Sequence, residues 1–379
     1  MTKLVRRTFF YVVSRLLSII PTNNRVVFHS FPDLSDNAFA LFRYMCFNRY
    51  AEKYTMIWLV DHTLSKEQDR TLKKILPNVV VYKRKSLKAF WAFIRARYIF
   101  VTHGLFSSIK LIQHTDKFIC LWHGMPLKHI GLSIGNGVSC SPNADYTIAT
   151  SDIFRGIMSE AFGIDKTKVL ITGQPRCDLL FENTDYFRSH HIDTCKYKKI
   201  GIWMPTFRKS VYGGYNEDGC YADGSISFLT SADLVKLDDE LNSLNHLLLI
   251  KIHPMDVLVN HKFEIYNNII IIKPAEFKSQ LYPLLGSCDY LLTDYSSVFI
   301  DYLITEKPIG FVMNDINEYA NSRGFYFDKL TDILPGPIIQ NVGELITFLK
   351  TLPQAEVSDT FNKYKDKYAC KRVMELLDI

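Results

Sequence analysis

The sequence repeats one pattern, in which short and almost wholly apolar segments alternate with stretches of helical character. Strands that are apolar throughout, rather than at every second residue, are typical of parallel sheets covered on both faces. A first series predicts strands at 25–31, 55–61, 79–83, 98–103, 118–124, 146–150 and 168–173. A second series predicts strands at 198–207, 246–254, 269–274, 289–295 and 307–313. The pattern therefore predicts an α/β protein with two Rossmann-like, doubly wound domains in tandem.

The boundary between the two series is predicted in the polar stretch 181–199, which has no strong hydrophobic period. The predicted parts are an N-terminal helix at 1–21, domains at 22–190 and 191–356, and a C-terminal helix at 357–379. The length of 379 residues agrees with two domains of roughly 150 residues and terminal additions. Two such domains are expected to face a central cleft, because ligands bind at the carboxyl ends of parallel strands.

The composition is that of a globular protein, with 47% hydrophobic and 22% charged residues. The net charge of +6 suits phosphate-bearing ligands or an anionic membrane surface and does not require nucleic acid. The sequence has no uninterrupted apolar stretch of about 18 residues, so no conventional membrane span is expected. The eight cysteines form no CxxC pair, which argues against zinc or thioredoxin-type sites and predicts inert thiols in a reducing cytosol.

Two segments have a basic amphipathic character. The first 21 residues predict a helix that ends at Pro21, with no cleavage site of the kind that follows a signal peptide. This helix can lie in the headgroup region of an anionic leaflet or pack on its own domain, and both alternatives remain open. The stretch 82–98 is predicted as an amphipathic crossover helix with a solvated basic face, the alternative being contact with nucleic acid or lipid.

Polar side chains follow five of the predicted strands at the point where each strand ends. They are His123 with Gly124, Arg176, Thr206, Lys251 with His253, and Asp294 with Ser296, Ser297 and Asp301. Imidazole, guanidinium, ammonium, hydroxyl and carboxylate groups are the side chains that a phosphate-handling cleft needs. Their shared position at strand ends therefore predicts one functional site.

Each of these residues also has a structural alternative. His123 can be a core histidine, and His253 before Pro254 can simply end a strand. Arg176 can pair with Asp178 as a weak surface ion pair. Ser296 and Ser297 can cap a helix, although a helix start also attracts phosphate.

Other chemistries fit the sequence poorly. It contains no GxxxxGK[ST] motif and no strand–GxGxxG–helix motif, which argues against P-loop nucleotide hydrolases and dinucleotide dehydrogenases. GxSxG is absent as well, so an α/β-hydrolase nucleophile elbow is not expected. The acidic run 238–240 can mimic a metal-binding DxD site, but it lies in a helical and solvated-looking segment. We therefore expect no metal site there.

Taken together, five motifs resemble those of the CDP-glycerol glycerophosphotransferase family in order and spacing. The motifs are LWHGMPLKHIG, GQPRCDLL, MPTFR, KIHP and TDYSSVFIDYLITEKPIGF. The family comprises teichoic-acid primases and polymerases and related capsule enzymes of bacteria. The resemblance covers about residues 25 to 350, and the chain length is similar to that of single-module, primase-like members. Met125 departs from the family pattern, which often has a small hydroxyl residue there, and this departure concerns acceptor contacts.

The resemblance implies a GT-B fold and an enzyme that transfers a polyol phosphate to an acceptor hydroxyl with release of CMP. The implied donor is CDP-glycerol or CDP-ribitol, and the implied acceptor is lipid-linked or a glycan. The first domain would bind the acceptor and the second the donor, with the C-terminal helix crossing back to the first. The resemblance further implies peripheral attachment to the cytoplasmic face of the membrane, without a metal, another cofactor or nucleic acid.

The resemblance also implies which residues contact the substrates. They are His123, Gly124, Met125, Pro126, Leu127, Arg176, Thr206, Phe207, Lys251, Ile252, His253, Ser296, Ser297 and Asp301. His123 is assigned as the general base, since imidazole titrates near neutrality. The diphosphate charge would be offset by Arg176, Lys251, His253 and the amides of Ser296 and Ser297. His253 is therefore also expected to be catalytic, and Asp301 is expected to bind the ribose hydroxyls.

Two other functions remain possible on this fold. The first is a glycosyltransferase that uses a nucleotide sugar. The second is a non-catalytic module that binds phosphate groups at a membrane surface. The pair of strand-end histidines argues against the second, because phosphate binding needs cations and not a base.

Overall fold

The computed structural model describes residues 21–105, 117–134, 144–206, 226–254, 256–277, 280–314, 325–327, 329–356 and 359–379. The chain divides into two compact units. The first comprises Met1–Met125, Ile130–Asp178 and Asp366–Ile379, and the second comprises Pro126–His129 and Leu179–Lys365. The division after Asp178 lies upstream of the boundary at residue 190 expected from the sequence. The N-terminal helix predicted over residues 1–21 lies outside the described residues, apart from Pro21.

The described strands of the first unit form one parallel sheet of seven strands. They are β1 (Asn23–His29), β2 (Thr55–Val60), β3 (Val80–Lys83), β4 (Ala96–Val101), β5 (Lys117–Cys120), β6 (Tyr146–Ala149) and β7 (Val169–Ile171). Their order is β3-β2-β1-β4-β5-β6-β7, and Val27 of β1 lies opposite both Ile57 and Ile99. This order is that of a doubly wound sheet, whose strands all end at the same edge.

Helices follow most of these strands and cover the sheet. They are α1 (Asp36–Phe47), α2 (Tyr50–Lys53), α3 (Lys66–Ile75), α4 (Leu87–Ile94) and α5 (Asp152–Phe162). An aromatic cluster of Phe28, Phe42, Trp58 and Phe100 is fully buried, with ring centroids 5.4–5.7 Å apart in the contacting pairs. Burial of each such ring stabilises the fold by about 1.5–3 kcal/mol, so this cluster is a main source of stability in the first unit.

The prediction of one crossover helix over 82–98 is wrong in extent. Lys83 ends β3, and α4 begins only after Ser86, whose hydroxyl accepts a hydrogen bond from the N–H of Ala89 at 3.1 Å. From Ala96 onward the chain is strand β4, because its apolar residues pair with both β1 and β5. The stretch therefore contains the end of one strand, a short helix and the start of the next strand.

The described strands of the second unit form a parallel sheet of six strands. They are β8 (Lys199–Trp203), β9 (His246–Lys251), β10 (Ile269–Ile272), β11 (Tyr290–Thr293), β12 (Ile309–Val312) and β13 (Ile338–Ile339). Their order is β10-β9-β8-β11-β12-β13. Gly201 lets β8 approach β11, because a Cβ atom there would lie 2.0 Å from the ring of Tyr290. Its described helices are α6 (Tyr186–Ser189), α7 (Ser231–Leu244), α8 (Leu281–Ser287), α9 (Val298–Tyr302) and α10 (Val342–Thr351).

The acidic run of α7 is less solvated than its sequence indicates. Asp238 is buried, and its carboxylate accepts hydrogen bonds from the backbone N–H groups of Asn267 and Asn268, at 3.0 and 2.7 Å. These bonds hold the turn that leads into β10 against the helix. The expectation of a solvated face is therefore wrong for Asp238, whose role is structural.

The C-terminal helix α11 (Ala369–Leu376) belongs to the first unit. It is shorter than the helix predicted from Asp359. The carboxylate of Asp178 accepts hydrogen bonds from the N–H groups of Ala369 and Cys370, at 2.8 and 2.9 Å, and so satisfies two donors at the helix start. Within the ranges given above, no helix is both long and apolar enough to span a bilayer.

Candidate functional site

His123 lies in a sharply turned segment after β5. The strand ends at Cys120, and the chain then turns through Trp122 with φ of 50° and Gly124 with φ of 142°. The first value is uncommon for a large side chain, and the second favours glycine. The indole of Trp122 packs against His123 and Phe162, with ring centroids 3.9 and 4.8 Å away. The turn therefore fixes the imidazole at the carboxyl edge of the first sheet.

The imidazole of His123 is half-buried and hydrogen-bonded through one nitrogen. Nδ1 lies 3.3 Å from the backbone carbonyl oxygen of Thr102. Because a carbonyl only accepts, Nδ1 donates the proton of the neutral ring and Nε2 keeps a lone pair. Burial lowers the pKa of His123, the Asp36 carboxylate opposes that shift, and the Arg176 guanidinium adds to it. A neutral ring with a free lone pair on Nε2 is the form that a general base requires.

Arg176 is held by the segment that opens α1. Its guanidinium donates to both carboxylate oxygens of Asp36 at 2.9 Å and to the carbonyl oxygen of His123 at 2.8 Å. Its backbone N–H donates to Asn37, whose amide in turn donates to the carbonyl oxygens of Leu121 and Trp122. Pairing with Asp178 is therefore wrong, because that carboxylate caps α11. Arg176 is only 6% exposed, and it ties the His123 turn to α1.

Two further histidines lie at this edge of the first sheet. His29 ends β1 and contacts Asp61 at 3.3 Å, and Asp61 accepts from Arg84 at 2.6 Å. His103 follows β4, and its ring stacks on that of His123 with centroids 4.1 Å apart and an interplanar angle of 4°. Sequence reasoning did not select either residue, although His103 ends the predicted strand 98–103 and His29 lies near the end of the predicted strand 25–31. The signal that selected His123, a polar residue at a strand end, applies to them equally.

The residues that follow Gly124 are enclosed by protein. Met125, Pro126 and Leu127 are buried, and the carbonyl oxygen of Leu127 accepts a hydrogen bond from the N–H of Tyr326 at 2.9 Å. The side chain of Met125 has no exposed surface, so the residue that departs from the family pattern fills space in the fold. The expected substrate contacts of this segment stay a prediction.

In the second unit, Thr206 and Asp294 form a rigid link between β8 and β11. The N–H of Thr206 donates to Asp294 at 2.8 Å, and its hydroxyl donates to the other carboxylate oxygen. Asp294 is buried, and the hydroxyl of Thr293 donates to the carbonyl oxygen of Met204 at 3.2 Å. These bonds hold residues 204–206, which follow β8, against the end of β11. Phe207, the next expected contact, lies outside the described residues.

Lys251 is the last residue of β9, and His253 lies two positions further along the chain. The ammonium of Lys251 lies 5.2 Å from the ring centroid of Phe277, and burial lowers its pKa. Burial, and then the positive charge of Lys251, lower the pKa of His253 to about 4. Ile252 between them is fully buried and belongs to the core. This strand end therefore carries one cation and one imidazole that is neutral at pH 7.

Ser296, Ser297 and Asp301 surround the start of α9. Ser297 occupies the N-cap position without a side-chain cap bond, and Ser296 accepts from the N–H of Val298 at 3.4 Å. Asp301 has no exposed surface and accepts from the hydroxyl of Tyr282 at 2.6 Å. The two serines are half-buried at the carboxyl edge of the sheet, where a ligand is expected. The ribose contact of Asp301 stays a prediction, and the structure gives its carboxylate a protein partner.

No group of three or more His, Cys, Asp or Glu side chains in the described ranges is arranged to hold an ion. The acidic run of α7 therefore forms no such group there, in line with the structural role of Asp238.

The sequence matches the CDP-glycerol:poly(glycerophosphate) glycerophosphotransferase family over residues 10–378. The chain belongs to this family. The family, the enzyme class and the glycerophosphotransferase function predicted from the sequence are thereby confirmed. The match extends over nearly the whole chain, beyond the range in which the motifs were recognised.

Curated relatives include both transferases and polymerases. The teichoic acid glycerol-phosphate transferase of Staphylococcus aureus is 28% identical over 377 residues, which cover 93% of this chain and 89% of the relative. The teichoic acid poly(glycerol phosphate) polymerase of Bacillus subtilis is 28% identical over 393 residues, covering 97% of this chain and 49% of the relative. The chain therefore spans about half the length of that polymerase.

Solved structures show the same fold. The wall teichoic acid polymerase TagF superposes with a TM-score of 0.75 and 23% identity, covering 99% of this chain and 96% of the other. The UDP-GlcNAc 2-epimerase from Neisseria meningitidis superposes with a TM-score of 0.51 and 12% identity, covering 94% and 99%. The predicted α/β class with two Rossmann-like units of the GT-B type is confirmed, and the central cleft stays a prediction.

Proposed function

We propose that the chain transfers glycerol phosphate from CDP-glycerol to a hydroxyl of a lipid-linked or glycan acceptor in cell-surface polymer synthesis. The donor is supported by the family and by the names of its relatives, which include both glycerol-phosphate and ribitol-phosphate enzymes. The observation that carries the chemistry is the hydrogen bond of His123 Nδ1 to the Thr102 carbonyl. It leaves Nε2 as a proton acceptor at the carboxyl edge of the first sheet.

The proposed reaction is one displacement at the phosphorus that bears glycerol. The acceptor oxygen forms a bond to that phosphorus, the bond to the bridging oxygen breaks, and CMP leaves with the bond electrons. The hydroxyl proton passes to Nε2 of His123. An alcohol is a weak acid, so a base that removes its proton during attack contributes a rate factor of about 10² to 10⁴. Arg176 supports this step by holding the His123 turn.

The donor diphosphate is assigned to the second unit. Lys251 supplies a fixed positive charge, and Ser296 and Ser297 supply hydroxyl groups at the same sheet edge. His253 is neutral before the donor binds, and a nearby diphosphate would raise its pKa and favour the cationic form. A proton taken up there would offset the charge that grows on the departing phosphate. The first unit thus provides the base, and the second provides the cations.

The proposed place of action is the cytoplasmic face of the membrane. An acceptor with a lipid tail stays in the bilayer, so the enzyme must reach the surface. In α4, Leu87 and Trp91 are 87% and 45% exposed, and the lysines at positions 85 and 88 are exposed beside them. Apolar side chains beside cations are typical of peripheral binding to anionic lipid. Residues 1–20 are the second expected contact.

A donor screen tests this function. The protein is incubated with a lipid-linked acceptor and with CDP-glycerol, CDP-ribitol or a UDP-sugar, and released nucleotide and product mass are recorded. We expect CMP release from CDP-glycerol, with product mass increasing by one or more glycerol-phosphate units. If the protein prefers CDP-ribitol, the proposed donor is wrong and the proposed type of reaction stands. UDP release would support the glycosyltransferase alternative, and no release would support the binding module.

A further inference from the structure

The ring of His103 is positioned by the same residue that positions His123. The two rings stack in parallel, and Nδ1 of His103 lies 3.0 Å from the hydroxyl oxygen of Thr102. The backbone carbonyl of Thr102 lies 3.3 Å from Nδ1 of His123. One buried threonine therefore binds both imidazoles, the first with its side chain and the second with its backbone. Neither Nε2 atom has a hydrogen-bond partner among the described residues.

The hydrogen bonds of Thr102 assign opposite tautomers to the two rings. Its hydroxyl oxygen accepts from the N–H of Phe31 at 3.3 Å. Because Thr102 is buried and has no other side-chain acceptor among the described residues, its hydroxyl proton points to Nδ1 of His103. The neutral His103 ring then carries its proton on Nε2, whereas His123 carries its proton on Nδ1. The stacked pair presents one donor and one acceptor.

Charged groups approach this pair from several elements. His29 at the end of β1 is bound to Asp61, which also binds Arg84, and Asp33 adds a further negative charge near His29. Asp36 and Arg176, which form an ion pair with each other, act electrostatically on His123. Burial, and then the neighbouring His123 and His29, lower the pKa of His103 to about 3. His103 is therefore neutral throughout the range in which the enzyme would work.

We propose that His103 is a positioning residue for His123, which it holds by ring stacking in the orientation and tautomer of a base. The inference rests on the proposed function of His123 as the base. A neutral stacked ring shields one face of His123 from water and does not compete for the proton. Phe31 and Trp122 pack around His103, with ring centroids 5.8 and 5.9 Å away.

The test combines kinetics with nuclear magnetic resonance of histidine rings. His103→Ala opens the face of His123, and His103→Phe keeps a stacked ring without the nitrogen atoms. Both proteins and the wild type are labelled with ¹⁵N-histidine, and the tautomer and titration of His123 are measured without substrate. His190→Ala is the matched control, because that ring stacks on Tyr186 at the same centroid distance of 4.1 Å in the second unit.

The expected results separate the two variants. In His103→Ala, turnover falls about tenfold at unchanged donor KM, because a loosened base loses its alignment. The Nδ1–H tautomer of His123 becomes less populated, and its pKa rises because water reaches the ring. The acid limb of the pH–rate profile moves to higher pH with it. In His103→Phe, the tautomer, the titration and most of the turnover are retained, as they are in the control.

Three outcomes would decide against this inference or against its premise. An unchanged His123 tautomer and titration in both variants would overturn the positioning role. Equal loss of turnover in both variants, with His123 unchanged, would show that His103 itself contacts substrate. A changed tautomer in His103→Ala with full turnover would support the stacking role and overturn His123 as the base. If His103→Ala does not fold, the comparison of His103→Phe with Thr102→Val replaces it; the latter removes the hydroxyl that binds Nδ1 of His103 and the N–H of Phe31, and keeps the backbone carbonyl that binds His123.

Discussion

The two units share the strand order of a doubly wound sheet over six strands, and they differ in the side chains at the carboxyl edge of the sheet. In the first unit the edge carries stacked imidazoles, held by Thr102 and by the ion pair of Asp36 with Arg176. In the second unit it carries the ammonium of Lys251, the imidazole of His253 and two serine hydroxyls. The first arrangement suits removal of a proton, and the second suits binding of an anion. The same fold can therefore supply a base in one unit and cations in the other.

Burial is the main cause of the lowered pKa of the histidine in each unit, but the neighbouring charges differ. At His123 the nearby positive and negative charges oppose one another. At His253, the charge of Lys251 adds to burial. A bound anion would compensate that charge, so the pKa of His253 should respond strongly to the donor. The predictions below test whether base and cation functions are separated in this way.

The largest expected effect is the loss of turnover in His123→Ala. We expect a decrease of about 10²- to 10⁴-fold with nearly unchanged affinity for CDP-glycerol, because the base acts on the acceptor. Calorimetry gives the donor affinity, and CMP release gives the turnover. Loss of donor affinity in proportion to turnover would show that His123 is a donor ligand and would remove the difference between the units.

The sequence predicted the strands well because a doubly wound sheet buries whole apolar segments. Twelve of the described strands overlap predicted segments, whereas β13 was missed because it contains only Ile338 and Ile339. The partner of Arg176 could not be predicted in the same way. Asp36 lies 140 positions away along the chain, and only the folded sheet brings the two together. The nearer Asp178 was the reasonable guess from spacing alone.

Within the site, strand-end residues were predictable and their surroundings were not. The position of His123 follows from where an apolar segment ends, but its stack with His103 depends on the register of β4 and β5. The burial of Asp301 could not be predicted from the sequence either, since a carboxylate near the start of a helix is usually expected to be exposed. Sequence patterns indicate which edge of a sheet carries chemistry. The partners at that edge are set by tertiary packing.

The second prediction concerns the ion pair that holds the His123 turn. We expect Arg176→Ala to lower the free energy of unfolding by about 3–5 kcal/mol, because Asp36 is left as a mostly buried, unpaired charge. Urea unfolding followed by circular dichroism measures this. Asp36→Ala with Arg176→Ala should lose less than the two single losses combined. If Arg176→Ala is as stable as the wild type but binds the donor more weakly, Arg176 is one of the cations that bind the donor diphosphate.

The third prediction concerns proton uptake at His253. With a free pKa of about 4, the ring gains a proton on donor binding only if the diphosphate raises that pKa. Donor affinity should then increase as the pH falls from above the bound-state pKa towards the free-state value. His253→Ala should weaken binding about tenfold and abolish this pH dependence.

Calorimetry in two buffers of different protonation enthalpy measures the number of protons taken up. Lys251→Met is the matched control, because it removes the fixed charge and leaves the imidazole in place. It should weaken binding and still show proton uptake. Zero uptake by the wild-type protein would mean that His253 binds as a neutral donor and that Lys251 alone supplies positive charge.

The smallest expected effect is at the membrane surface, where many weak contacts add. Each cation near an anionic leaflet contributes about 1 kcal/mol, so binding should be reversible and sensitive to salt. We expect Lys85→Glu with Lys88→Glu, or Leu87→Ser with Trp91→Ser, to reduce sedimentation with vesicles that contain anionic lipid. Turnover on a soluble acceptor should stay unchanged, since α4 carries none of the residues assigned to chemistry.

A matched charge reversal in the second unit, Lys236→Glu on α7, should leave sedimentation unchanged. If the α4 variants sediment like the wild type at low and high salt, and loss of residues 1–20 has no effect either, the attraction to membranes lies elsewhere.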